Sequence, residues 1–148
     1  MMSGHRLTHI GVCVRDIERA TEFYCSALGF EKIGEMHVAD DATARLLDVD
    51  DLILDLVYLH RDGFRLELIG YTRPAVIGDT DPRAMNALGF THLSFRVDDI
   101  DSLAAAVVEH GGRLLEPRTV RFGPNRAMML TDPDGNLLEF IERTRSED

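Results

Sequence analysis

The chain has 148 residues, 45% hydrophobic and 28% charged, which describes one globular domain (1–148) able to bury about 68–70% of its unfolded surface without disulfide or metal staples. Acidic groups outnumber basic ones 26 to 16, for a formal charge of −10, so nucleic acid and anionic membrane surfaces are excluded as expected partners, because both attract clustered Lys and Arg. No apolar run is long enough to span a bilayer.

The opening Met1-Met2-Ser3-Gly4-His5-Arg6 lacks the apolar stretch of a secretory leader. The only cysteines, Cys13 and Cys25, cannot make a disulfide framework, so a cytoplasmic protein with reduced thiols is expected. Alternating apolar residues predict a strand over Leu7–Val14. Asp16 stands where a helix N-cap belongs, and Ile17, Ala20, Phe23, Tyr24, Ala27 and Leu28 recur at helical spacing. Gly29, just past them, suits a C-cap. Strands are predicted over Phe30–His37, Leu52–His60 and Phe64–Tyr71, with a loop over Asp40–Asp50 that holds one helical turn through Ala42–Leu47. Asp62-Gly63 supplies the positive-φ pair of a tight hairpin. Residues 72–89, with Pro74 and Pro82, read as a linker.

The pattern then starts again. Leu7-Thr8-His9 through Asp16-Ile17 is echoed, 83 positions later, by Phe90-Thr91-His92 through Asp99-Ile100. Asp62-Gly63-Phe64-Arg65-Leu66-Glu67-Leu68 is echoed, 72 positions later, by Asp134-Gly135-Asn136-Leu137-Leu138-Glu139-Phe140. Two echoes in the same order mean two copies of one module, 6–71 and 90–143. In the second, Asp99 is the cap, Leu103, Ala106, Val107 and His110 mark the helix, and Gly111-Gly112 stops it. Its strands are predicted at Arg113–Leu115, Arg126–Thr131 and Asn136–Arg143, with Asp134-Gly135 as a hairpin turn.

Strand parity assigns faces. Ile10, Val12 and Val14 share the face that suits packing under the helix, leaving His9, Gly11 and Cys13 opposite. Leu93, Phe95 and Val97 oppose His92, Ser94 and Arg96. Leu66 and Leu68 oppose Arg65, Glu67 and Ile69, and Leu138 and Phe140 oppose Leu137, Glu139 and Ile141. If each sheet curls with its helix on the convex side, His9, Glu67, His92 and Glu139 line a hollow that small Gly11, Cys13 and Ser94 keep open. A lone strand histidine is ordinarily a hydrogen-bonded residue, and His5, His37, His60 and His110 take that reading. What sets the four apart is that both His and both Glu fall at equivalent repeat positions. Two imidazoles and two carboxylates suit one divalent Zn, Ni, Co, Mn or Fe ion and leave coordination room for water or substrate.

The repeated βαβββ module, Phe23-Tyr24 before Leu28-Gly29-Phe30, Val97-Asp98-Asp99-Ile100 and the closing Asp132-Pro133-Asp134-Gly135-Asn136-Leu137-Leu138-Glu139 resemble the vicinal oxygen chelate superfamily. That group includes glyoxalase I, methylmalonyl-CoA epimerase, extradiol dioxygenases, and bleomycin and fosfomycin resistance proteins. The resemblance, over about residues 6–143, implies an α+β fold of two tandem βαβββ modules whose curled mixed sheets surround a metal-containing cup. Carried over by position, it places the metal ligands at His9, Glu67, His92 and Glu139. The second carboxylate points to the glyoxalase and epimerase branches, since extradiol dioxygenases use two histidines and one glutamate.

The implied activity is a metal-dependent lyase or isomerase of glyoxalase I type, moving a proton α to a carbonyl through a metal-stabilised enediolate, with Glu139 as first candidate for the shuttle and Glu67 as second. The alternatives are an Fe(II) extradiol-type dioxygenase and a small-molecule binding or drug-sequestering resistance protein. The expected partners are a small-molecule substrate and a second copy of the chain as a homodimer. Arg65 and Arg96 share the cup face and suit a substrate carboxylate or phosphate, or else pair with acidic neighbours at the rim. Arg118, Arg121 and Arg126, around Gly123-Pro124, either gate the cup or are solvated. Met128 and Met129 read as core or pocket wall, and Tyr24 as a packing residue. The stretch from Met36 to Leu52 lacks the loop associated with glutathione-using glyoxalases.

Overall fold

A computed structural model describes residues 4–143; Met1, Met2 and Ser3 of the leader reading, and residues 144–148 of the expected domain, lie outside the described residues. The element order is β1 (Ile10–Val14), α1 (Ile17–Ser26), β2 (Glu31–Val38), α2 (Asp41–Leu47), β3 (Ile53–Arg61), β4 (Phe64–Arg73), β5 (His92–Val97), α3 (Ile100–Glu109), β6 (Arg113–Phe122), β7 (Asn125–Thr131) and β8 (Leu137–Glu142). Each βαβββ module makes one four-stranded mixed sheet, ordered β1-β4-β3-β2 and β5-β8-β7-β6. In each, the first strand runs parallel to the last and the remaining pairs are antiparallel. Among the described residues no helix is long and apolar enough to cross a membrane.

The chain forms two compact units: the chain up to Thr21 together with Gly29–Ile77, and Glu22–Leu28 together with the chain from Gly78 on. The helix of the first module therefore belongs to both. In the first unit Leu59, Leu66 and Leu68 are fully buried, and each lies on the parity opposite Glu67. In the second, Phe23, Tyr24, Ile100, Val107, Leu130, Leu138 and Phe140 are buried. Tyr24 reaches Asp132, itself 1% exposed, with a 2.8 Å hydrogen bond.

Local chemistry explains the boundaries. Asp16 and Asp99 cap their helices as expected, accepting from Arg19 N–H and Ser102 N–H at 3.0 Å each. Asp62 and Gly63, at φ 50° and 80°, make the left-handed pair of the β3–β4 hairpin. The β7–β8 turn differs from the expected Asp134-Gly135 hairpin. There only Gly135 takes positive φ, and the loop is shaped by the Asp132 carboxylate, which accepts from Asp134 N–H and Asn136 N–H at 2.9 Å each.

Most strand ends move by one or two residues from their predicted spans, and β1, α2 and β6 differ for identifiable reasons. β1 begins at Ile10, where pairing with Leu66 begins, so Leu7–His9 precede it. The Ala42–Leu47 turn is a full helix, α2, capped by Asp40, and Ala44 and Val49 pack against Val38, Leu52 and Leu54; at seven residues it is too short for periodicity to set its full extent. β6 runs seven residues past Leu115. Pro117 hides this by interrupting the alternation, and it is tolerated because β6 is an edge strand whose pairing shifts between Leu114 and Thr119.

Candidate functional site

Each unit builds one His–Glu pair from the two strands that run parallel. In the first, Glu67 lies opposite Gly11, and His9, two residues ahead of Gly11, sends Nε2 to within 3.4 Å of a Glu67 carboxylate oxygen. In the second, Glu139 lies opposite Ser94, and His92, two residues ahead of Ser94, brings Nε2 to 3.8 Å from Glu139 Oε1. The sheet fixes this geometry. Leu66 and Leu68, like Leu138 and Phe140, are buried beneath and turn the intervening glutamate to the other face. The Glu67 side chain is 14% exposed and that of Glu139 28%, so both carboxylates are accessible without being fully solvated.

The remaining nitrogen of each ring is engaged in the same way. Thr8 Oγ1 is 3.0 Å from His9 Nδ1, and Thr91 Oγ1 is 2.8 Å from His92 Nδ1. Each threonine hydroxyl can accept Nδ1–H or donate to Nδ1; the tautomer with Nδ1–H donated is the one that would leave the Nε2 lone pair for a metal. Sequence reasoning passed over these threonines, although Thr-His standing in both copies of the repeat was the signal. It also passed over the donors to the carboxylates. Ser94 donates to Glu139 Oε1 at 2.7 Å, and the Tyr58 phenol hydrogen-bonds Glu67, which raises the pKa of Tyr58. Parity had given Ser94 only the role of a small neighbour.

The two pairs suit a divalent ion of borderline hardness: imidazole Nε2 turned toward carboxylate, Nδ1 held from behind. Each pair offers an ion two donors. Among the described residues no group of three or more His, Cys, Asp or Glu is assembled that could hold an ion.

Arg65 and Arg96 are exposed, on the faces that carry Glu67 and His92 respectively. Arg65 lies across from His60, and its charge reaches the Tyr58 phenol. Arg126 makes two 2.9 Å bonds to Asp101 and holds that carboxyl below its usual range, with Arg121 adding to the effect. Arg118 is half-buried on β6. His37 pairs with Asp55 at 2.7 Å and His110 with Glu22 at 3.3 Å, ordinary surface contacts, while His5 and His60 are exposed. Met128 is core, and Met129 lies opposite Glu139 in the β7–β8 pairing. Cys13 and Cys25 form no disulfide.

Residues 6–140 match the family model for the Glyoxalase/Bleomycin resistance protein/Dioxygenase superfamily. The chain is 29% identical over 143 residues to the uncharacterised protein YaeR of Escherichia coli, covering 97% of this chain and 100% of that one. It is 25% identical to a probable lactoylglutathione lyase of Vibrio cholerae, covering 98% and 96%. It is also 28% identical to the catechol-2,3-dioxygenase of Bacillus subtilis, but spans 46% of that protein's length against 99% of its own. Among solved structures, a glyoxalase family protein from Bacillus cereus superposes with a TM-score of 0.79 at 21% identity, covering 96% of this chain and 98% of that one.

Proposed function

The chain belongs to the glyoxalase, bleomycin resistance protein and dioxygenase superfamily, and from that premise we propose that it is a divalent-metal-dependent lyase or isomerase of glyoxalase I type, transferring a proton α to a carbonyl. The observation that carries this reading is the duplicated His–Glu pair, in which both modules keep a carboxylate beside an imidazole. His9, Glu67, His92 and Glu139 are the proposed ligands, the two halves being completed within one chain or across a homodimer.

A bound Zn, Ni, Co, Mn or Fe ion would neutralise the oxygen charge that develops as the carbon acid loses its proton. The rest falls to the side chains. Thr8 and Thr91 hold the imidazole rings in orientation. Glu139 takes the proton from the substrate carbon and returns it to the neighbouring one, with Ser94 Oγ donating to the carboxylate oxygen not in use. Arg65 and Arg96 bind a carboxylate or phosphate of a small-molecule substrate through forked donors.

The similarity to a catechol-2,3-dioxygenase supports a second reading, an Fe(II) extradiol-type dioxygenase. One experiment separates the two: the protein is loaded with each of the five metals and assayed for isomerisation of a methylglyoxal–thiol hemithioacetal, for thioester epimerisation, and for oxygen uptake with catechols. Proton-transfer turnover without oxygen uptake supports the first reading. Iron-dependent oxygen uptake replaces it with the second, and metal-free ligand binding without turnover replaces both with sequestration.

A further inference from the structure

The second unit carries a large irregularity on β6. Its pairing with β7 passes from Leu114 opposite Leu130 to Thr119 opposite Met128, so the stretch Leu115–Arg118 stands against Met129 alone. A bulge of that kind bends its strand and re-aims the side chains it carries. Beside it lies an open groove of about 480 Å³, lined by Leu114, Leu115, Glu116, Pro117 and Arg118 of β6 and by Pro82 of the segment that precedes β5.

The Pro82 wall is fixed, because Pro82 stands between two anchored residues. The Thr80 carbonyl accepts a hydrogen bond from Arg113 and lies so close over Gly135 that a Cβ there would overlap it. Arg83 donates to the carbonyls of Ala84, Ala87, Leu88 and Phe90. The groove is therefore preformed, and its volume falls within the range of small-ligand pockets, about 300–1,000 Å³. Its lining also has their character: apolar Pro82, Leu114, Leu115 and Pro117 surround one half-buried guanidinium, Arg118, with the Glu116 carboxylate exposed. β6 is an edge strand, yet this stretch is unsuited to adding another strand, since Pro117 has no N–H to give and the bulge breaks the ladder.

We propose that the groove at the β6 bulge is a binding site for a small monocarboxylate with an apolar body, the body lying against Leu114, Leu115 and the two prolines and the carboxylate taken by Arg118. The Arg118 fork matches a planar carboxylate. Glu116 leaves the groove with one charge of each sign, so a single negative charge is accommodated and a doubly charged phosphate is repelled. The inference goes beyond the reading above and requires no bound ion.

The test uses the full chain, stripped with chelator, so that its outcome is independent of the metal site. Phenylbutanoate, phenylbutanol and phenylpropyl phosphate share one apolar body and differ in the head group; calorimetry gives their affinities and amide chemical shifts locate them. The wild type is expected to bind the carboxylate about 10-fold or more tighter than the alcohol or the phosphate, with the largest shifts at Leu114, Leu115, Glu116 and Arg118. Arg118→Met keeps the apolar stem and removes the fork. It is expected to bring the carboxylate down to the affinity of the alcohol while leaving the alcohol unchanged. The three ligands compared on the wild type decide the question even if that variant fails to fold. No carboxylate binding, shifts centred away from the bulge, a phosphate bound more tightly than the carboxylate, or a folded Arg118→Met that loses nothing each overturns the inference. Self-association in sedimentation that protects β6 and is not reversed by phenylbutanoate replaces it with an interface between copies of the chain.

Discussion

Tyr24 donates a 2.8 Å hydrogen bond to Asp132 across 108 positions of sequence, and both residues are 1% exposed. The carboxylate is a hub: it also accepts from Asn136 Nδ2 at 2.8 Å and from the main-chain N–H groups of Asp134 and Asn136. Burial raises its pKa, partly offset by the hydrogen bonds from Asn136 and Tyr24. Tyr24→Phe is expected to destabilise the fold by about 1–3 kcal/mol at neutral pH, leaving a buried carboxylate short of a donor. The sign of the pH dependence follows. A carboxyl whose folded pKa is raised contributes stability that is present below the unfolded value of 3.8 and lost as pH rises through the folded value. Removing the hydroxyl raises the folded value further, so the gap between variant and wild type widens from acid to neutral pH. Urea denaturation at several pH values measures it; a gap independent of pH would show that Asp132 does not feel the phenol.

Thr8→Val and Thr91→Val remove the groups behind the imidazoles without changing side-chain shape. Each is expected to weaken metal affinity about 10–100-fold, with little change in metal-free thermal stability because both contacts are exposed. Chelator competition reads the affinity, and an unchanged value would mean the rings are oriented by the strands alone.

Glu139→Gln and Glu67→Gln should separate the proposed roles. Glu139→Gln is expected to lower kcat by about 100–10,000-fold, the range for a general acid–base group, with metal retained. Glu67→Gln is expected to act first on metal content. Metal analysis beside steady-state kinetics decides, and the reverse pattern would exchange the two assignments.

Gly112 is demanded by packing. A Cβ there would lie 2.4 Å from the Thr131 carbonyl oxygen and 3.0 Å from Phe23. Gly112→Ala is expected to cost about 1–3 kcal/mol through forced displacement, seen as a lowered thermal midpoint. An unchanged midpoint would mean that the backbone around Thr131 yields freely.

What the sequence disclosed, it disclosed through repetition and parity. His9 and His92 were legible as a matched pair, Glu67 and Glu139 likewise, because a strand has only two faces and the buried leucines occupy one of them. The donors around them were harder to see. Tyr58 acts across a β3–β4 pairing that no local pattern encodes, and nothing in the second module repeats it, so a search for repeats passes over it. Asp132 looked like part of a turn, yet its partner Tyr24 lies on a helix far upstream. α2 was legible only as a single turn because it spans seven residues, and the far half of β6 stayed hidden because Pro117 interrupts the strand.

Helix α1 begins in one unit and finishes in the other, which has a consequence for dissecting the protein. Cutting the chain in the loop after Arg73 does not yield two self-sufficient halves. The leading fragment would carry Phe23, Tyr24 and Leu28 with their cover removed, and the trailing fragment would have a hole where those side chains belong. A sequence written twice has become an object that cannot be cut into its two copies.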